Sequence, residues 1–222
     1  MAMRKGLGGK IGLAVGFFCA GTPSTMGTLD LLKNLNVAPS DLDELRYRGK
    51  GWPGNFSGHQ RSKSPGSFRI PYEESWGFLQ KYRPFRCYLC PDGTGEFADI
   101  ACGDPWYRKV LDGEGGYSLV LVRTEHGRKV LQDAKQAGYV TVERADPSLL
   151  EASQRNLLGK RREIWGRLMA MKVFGMNTPK FKGFSLFENW RELTAKDMAR
   201  SFLGTARRII SRRLYRKQIF AG

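Results

Sequence analysis

Cys19, Cys87, Cys90 and Cys102 are the four cysteines of this 222-residue chain, and three of them fall in one Gly- and Asp-rich stretch, Cys87-Tyr-Leu-Cys90-Pro-Asp-Gly-Thr-Gly-Glu-Phe-Ala-Asp-Ile-Ala-Cys102-Gly-Asp. Four thiolates are the complete first shell of either a cubane iron–sulfur cluster or a structural zinc. A disulfide framework is the other use of four cysteines, but it belongs to short secreted chains with a signal peptide. The thiols therefore read as metal ligands in a reducing compartment.

A chain that is 41% apolar and 12% aromatic buries a core without staples. The expected organisation is an α/β domain over residues 1–150 and a basic helical extension over 151–222. No run approaches the roughly 18 apolar residues of a spanning helix, and the run Ile11 to Ala20 reads as a buried strand. With no charged leader and cleavage site, the expectation is a soluble, cytoplasmic protein, at most peripheral at a membrane. The formal charge of +16 is concentrated near the C-terminus: residues 150–222 carry 17 basic and 5 acidic side chains. Arg207, Arg208, Arg212, Arg213, Arg216 and Lys217 flank Ile209, Ile210, Leu214 and Tyr215, the pattern of a basic amphipathic helix. Such a helix can be a solvated face packed by its apolar stripe. It can also lie on anionic lipid or grip an acidic protein, and less readily nucleic acid.

The expected fold is α/β, a mixed or mostly parallel sheet with flanking helices, followed by a helical C-terminal extension. Lys10 to Phe18 reads as a strand buried on both faces, with Cys19 at its C-terminal end. Thr22 as N-cap and Pro23 at the first helical position then open a helix to about Leu35. A strand near Leu45 to Arg48 precedes a Gly/Ser/Pro-rich stretch, Gly49 to Ser67, that reads as a mobile loop. Tyr117 to Arg123 reads as a strand, Thr124 as the N-cap of a helix to about Ala137, Gly138 as its stop, and Tyr139 to Glu143 as a further strand. That β-α-β order implies parallel strands in one sheet, the Ile11 strand among them. From Pro147 to about Phe174 the pattern is helical, and a last helix begins between Leu193 and Lys196.

The cysteine spacing is a C-x₂-C pair, a third cysteine eleven residues further on, and Cys19 arriving from elsewhere. Zinc ribbons use two C-x₂-C knuckles and this chain has one. On spacing alone an iron–sulfur cluster and zinc stand level, with thiols that bind no metal behind them. Cys19 at a strand-to-helix turn is a reasonable place for an anionic cluster or cofactor phosphate.

Three segments carry a resemblance. Phe18-Cys19-Ala-Gly-Thr-Pro-Ser24, Arg86-Cys87-Tyr-Leu-Cys90-Pro-Asp92 and Glu96-Phe-Ala-Asp99-Ile-Ala-Cys102-Gly103-Asp104-Pro-Trp106 resemble successive motifs of the coenzyme F420 hydrogenase/dehydrogenase beta-subunit family, specifically its C-terminal domain, over roughly residues 10–150. The resemblance implies an iron–sulfur flavoprotein oxidoreductase that passes electrons between a cubane cluster, a flavin and a two-electron organic acceptor such as a deazaflavin. It implies that Cys19, Cys87, Cys90 and Cys102 ligate one [4Fe-4S] cluster, with FAD as the flavin. Gly93, Gly95 and Gly103 would let backbone N–H groups approach the cluster sulfurs. Asp92, Asp99 and Asp104 would cap turns in the loop or face the flavin or substrate. Trp52 and Trp106 are candidates for a flavin wall. No catalytic residue is singled out. Family members carry a further N-terminal region with much of the flavin site, which is expected to be missing here. An electron-donor protein, or a partner chain supplying that region, is the expected partner. Lys5-Gly-Leu-Gly-Gly9 precedes the first strand and does not match a dinucleotide loop.

His59 and His126 are the only histidines, one in the expected loop and one in the first turn of a helix, and neither reads as a general base or zinc ligand. No serine has a nucleophile-elbow context, so hydrolysis is disfavoured. The rival to an electron-transfer protein is a zinc-stabilised basic module that contacts nucleic acid or another polyanion.

Overall fold

The computed structural model describes residues 10–62, 66–108 and 115–215. The chain divides into two compact units, one of residues up to Cys87 with Thr94–Ser153, the other of Tyr88–Gly93 with Gln154 onward. Two three-stranded sheets make the framework of the first unit, and the second is helical. Lys5–Gly9 and the tail residues Arg216 and Lys217 lie outside the described residues.

One sheet has the order β1 (Val15–Phe17), β5 (Ile100–Gly103), β6 (Leu119–Val122). β1 runs parallel to the central β5, with Val15 opposite Ile100 and Phe17 opposite Cys102, whereas β6 is antiparallel to β5. The fully parallel β-α-β arrangement is thus corrected. Helix α4 (Glu125–Gln136) follows β6, but residues 139–143 form no strand, and Tyr139 is 83% exposed. Without that second strand no crossover is built. The α4 boundaries follow their chemistry: the Thr124 hydroxyl accepts the Gly127 amide at 3.0 Å, and Gly138 beyond the C-cap has φ +78°.

β1 is a three-residue strand at a sheet edge, paired on one side only, so it is not buried on both faces: Phe17 is 76% exposed. Helix α1 (Thr25–Asn34) takes Ser24, not Thr22, as its N-cap residue, because the turn after Cys19 is two residues longer than expected. Asp99 fixes this corner. Its carboxylate accepts the Ala14 amide at 2.9 Å and the Thr124 hydroxyl at 2.6 Å, tying the approach to β1 and the start of α4 to the foot of β5. The Thr124 and Ala14 hydrogen bonds hold its pKa below the ordinary carboxylate value.

The second sheet, β2 (Leu42–Arg46), β3 (Asn55–Gln60) and β4 (Ser67–Pro71), is an antiparallel meander. The expected mobile loop from Gly49 to Ser67 therefore contains a central strand. Its Phe56 is completely buried and packs with Leu31 and Leu32 of α1, Val37, and Leu79 of α2 (Tyr72–Leu79). Burial of a side chain this size contributes roughly 1.5–3 kcal/mol, and it supplies most of the reason this segment orders.

The second unit holds the long part of α5 (Ser148–Val173), α6 (Leu186–Arg191) and α7 (Ala195–Ser211). Gln154, at φ −123° and ψ 30°, breaks α5 where the units divide. Gly166 lies where α5 meets α7: a Cβ there would stand 2.7 Å from Trp190 Nε1 and collide with the Ser201 side chain. Trp190 Nε1 donates to Ser201 Oγ at 3.1 Å, and Trp165 packs on Trp190 with ring centroids 4.5 Å apart. Thr194 caps α7 through its hydroxyl, which accepts the Asp197 amide. Its helices α5 to α7 are the C-terminal helices of the expected fold, and Tyr88–Gly93 belong to the same unit. Among the described residues no helix is long and apolar enough to cross a membrane.

Candidate metal centre

Two cysteines reach the same end of the β1–β5 pair because the strands are parallel. Cys102 lies within β5 opposite Phe17, and the Phe18 amide donates to the Cys102 carbonyl at 2.8 Å, so the chain leaves β1 beside Cys102 and places Cys19 one residue later. The carboxyl ends of adjacent parallel strands are where α/β sheets collect ligands. Cys87 comes to the same corner from α3 (Phe85–Leu89). Gly21, at φ +124°, turns the chain so closely against α3 that a Cβ would sit 3.3 Å from Cys87 Cβ and 2.6 Å from Arg83 Cδ. Arg83 fixes the turn by donating to the Ala20 carbonyl at 2.7 Å. The geometry thus brings Cys19, Cys87 and Cys102 into one neighbourhood of the first unit.

Cys90 falls in the second unit. Its short segment is held there by the C-terminal helices: Arg167 donates to the Tyr88 carbonyl at 2.5 Å, the Arg208 guanidinium lies 4.3 Å from the Tyr88 ring centroid, and a Cβ on Gly93 would meet Leu157 at 3.2 Å. The Cys90 thiol donates to the Asp92 carbonyl at 3.3 Å. Sequence reasoning missed Arg167 altogether and read Arg208 only as part of the basic helix, since nothing in their spacing marks them as supports for a distant cysteine.

All four thiols are free, Cys19 exposed and the others half-buried. Four unpaired thiols are the donor set of a cubane cluster, and in that chemistry the residues fit the group. Among the described residues no three Cys, His, Asp or Glu side chains are drawn together as ligands of one ion. Burial pushes the Cys102 thiol up from its ordinary value, so loading a metal there must release a proton.

The residues after Cys102 form a clamp. Asp104 accepts two hydrogen bonds from Arg48, at 2.8 and 2.9 Å, and one from Trp52 Nε1 at 2.9 Å. Burial alone would raise the Asp104 pKa, but the Arg48 and Trp52 hydrogen bonds outweigh it and hold the carboxyl below its ordinary value. The same pairing raises Arg48. Ser153 adds a backbone tie, donating to the Asp104 carbonyl at 2.8 Å and accepting the Trp106 amide at 3.0 Å. Over this pair runs a row of rings: Trp52 on Trp106 at 5.1 Å, Trp106 on Tyr72 at 5.5 Å, and Tyr72 on Trp76 at 6.5 Å. The two tryptophans expected as a flavin wall do adjoin each other. Trp106 keeps 40% of its surface exposed. Arg48, Tyr72 and Trp76 were not legible as members of the cluster around Asp104 and Trp106, because a lone arginine just past a strand carries no periodic signal.

Gly103 has a physical reason to be glycine. The Phe18 side chain lies against its α-carbon, with Phe18 Cβ only 2.6 Å from where a Gly103 Cβ would stand. Gly103→Ala is therefore expected to lower stability by about 1–3 kcal/mol and, by displacing Phe18, to disturb its neighbour Cys19. Urea unfolding with a parallel titration of accessible thiols checks both; unchanged stability and thiol reactivity would contradict the packing. The other proposed site residues have the environments described above: Asp99 tied to Ala14 and Thr124, Asp92 and Gly93 in the Cys90 segment.

Two adjacent parallel strands whose shared carboxyl end carries Cys19 and Cys102, with Cys87 on α3 against the Gly21 turn, define an α/β domain with its cysteines at a strand end. Residues 1–148 match the family model that describes the C terminus of the coenzyme F420 hydrogenase/dehydrogenase beta subunit, and the chain belongs to that family. It is similar to the F420-dependent formate dehydrogenase subunit beta of Methanocaldococcus jannaschii, at 22% identity over 147 residues, which cover 64% of this chain and 34% of that protein. It is also similar to the coenzyme F420 hydrogenase subunit beta of Methanothermobacter thermautotrophicus, at 24% identity over 175 residues, covering 77% of this chain and 56% of that one. The chain thus spans between a third and somewhat over half of the length of these curated relatives.

Proposed function

We propose that this protein is an oxidoreductase component that holds a [4Fe-4S] cluster on Cys19, Cys87, Cys90 and Cys102 and works with FAD and a two-electron acceptor such as coenzyme F420. What supports the reading is that the chain passes Cys19 and Cys102 at one end of the parallel β1–β5 pair and Cys87 against the Gly21 turn, in the domain that belongs to the F420 family. When bound, a cluster supplies single-electron transfer and a flavin converts single electrons into two-electron equivalents. The chain's own residues do the positioning. Arg83 and Gly21 shape the Cys19 turn, Asp99 sets the foot of the Cys102 strand, and Arg167 and Arg208 hold the Cys90 segment. The exposed face of Trp106 offers a ring to a planar cofactor, and the Arg48–Asp104 pair fixes that ring relative to Cys102.

Both relatives are named as subunits, which supports a role beside an electron-transfer protein partner. The reading is tested by oxidising reduced coenzyme F420 with a viologen dye under anaerobic conditions, using reconstituted protein supplied with FAD. Each F420 molecule gives up two electrons and two viologens take one each. Dye reduction that falls to background in Cys102→Ser is the expected result. A fully reconstituted protein that leaves reduced F420 untouched, with FAD present, would overturn the acceptor assignment.

A further inference from the structure

The second unit carries a surface that the redox reading does not use. Residues 88–93 and 154–222 together hold 17 basic and 5 acidic side chains, four of the basic ones on α7. One side of α7 is internal: Ser201, Thr205 and Ile209 are buried. On the opposite side Lys196, Arg200, Leu203, Arg207 and Ile210 follow one another at the three- and four-residue intervals that line up on a helix, and all five are exposed. Leu203 is 62% and Ile210 56% exposed, aliphatic side chains set among cations. Asp197 is the one acidic residue of α7 and lies off this row, paired with Arg200. Arg212, Arg213 and the exposed Tyr215 continue the basic surface past the helix end.

We propose that this ridge is a docking surface for an anionic lipid membrane. A straight, convex row of Arg and Lys with two protruding aliphatics suits a flat, yielding anionic sheet. The aliphatics enter the acyl boundary while the guanidinium and ammonium groups stay at the phosphate level. Each basic group near such a surface adds to attraction that falls off within a Debye length. A specific protein partner is instead anchored by aromatic or Arg side chains seated in pockets, and the ridge has no aromatic side chain among its five. The surface also lies beyond residues 1–148, the part that matches the family. It does not depend on the redox assignment.

Sedimentation of the whole chain with vesicles tests the proposal, using phosphatidylcholine alone and phosphatidylcholine mixed with phosphatidylglycerol. The protein should sediment with the anionic vesicles only. The double substitution Arg200→Glu with Arg207→Glu should weaken that partitioning by roughly tenfold or more, and Leu203→Ser with Ile210→Ser should weaken it by a similar order at physiological salt. Far-ultraviolet circular dichroism and the thermal midpoint, unchanged in these surface variants, separate a lost surface from a lost fold. Equal binding to both vesicle types, no binding to either, or anionic binding indifferent to the Leu203/Ile210 pair would each overturn it. So would retention on an acidic protein partner with no vesicle binding.

Discussion

Arg48→Ala is expected to lower the unfolding free energy by about 1–3 kcal/mol, the range for stranding a half-buried hydrogen-bonded charge after discounting for its partial exposure. The reason is Asp104, which would lose both hydrogen bonds from Arg48 while keeping that from Trp52. Arg48→Lys should recover little, because an ammonium cannot reproduce the two-pronged contact. Removing Asp104 as well, as Asn, should cost much less than the sum of the single changes, and this non-additivity in a denaturant double-mutant cycle is the direct check. Additive effects would mean that the pair is not coupled. The pH dependence has a definite sign. The Asp104 carboxyl is held below its ordinary value of 3.8, so its contribution is fully present above that value and is lost as pH falls through the lower folded-state pKa. Arg48→Ala should flatten this acid loss. Since Asp104 stands two residues after Cys102, the same variant should also loosen Trp106 and quicken its fluorescence quenching.

Phe56→Ala should be costlier still, about 3–5 kcal/mol, the usual loss when a wholly buried aromatic is cut back to a methyl group. Phe56 is the second residue of β3, the central strand of its sheet, and packs in one core with residues of α1, β2 and β4. The urea midpoint should fall accordingly, and Phe56→Leu should recover most of the loss. A change below about 1 kcal/mol would show that the meander is not the core of this unit. Because the cysteine corner belongs to the other sheet, the Phe56 effect reports on the framework and not on the ligand set.

These two residues also mark what could and could not be read in the sequence. The cysteine segments and their family resemblance were legible, because C-x₂-C and the Ala-Asp-Ile-Ala-Cys-Gly-Asp run keep their signal within a few residues. α4 was legible too, with Thr124 and Gly138 stating both ends chemically. β3 was not: Gly, Ser and Pro from Gly49 to Ser67 gave the composition of a loop, and one apolar side chain, Phe56, orders it through contacts with α1 and α2 that are distant in sequence. The direction of β6 was misjudged for a related reason. Tyr139 to Glu143 has strand-forming residues but no partner strand among the described residues, and without it α4 cannot act as a crossover. The Arg48–Asp104 clamp joins residues 56 positions apart, a pairing that no local pattern encodes.

The claim that organises this account is that the four cysteines share one cluster. Iron, acid-labile sulfide and zinc should be counted on anaerobically purified and reconstituted protein, with Cys19, Cys87, Cys90 and Cys102 changed to Ser one at a time. The account predicts about four iron and four sulfide per chain, as one [4Fe-4S] cluster requires, with loading lost or made labile by each of the four changes. Zinc at about one per chain without sulfide, the signature of a single structural ion, would contradict it. So would iron content indifferent to Cys90→Ser.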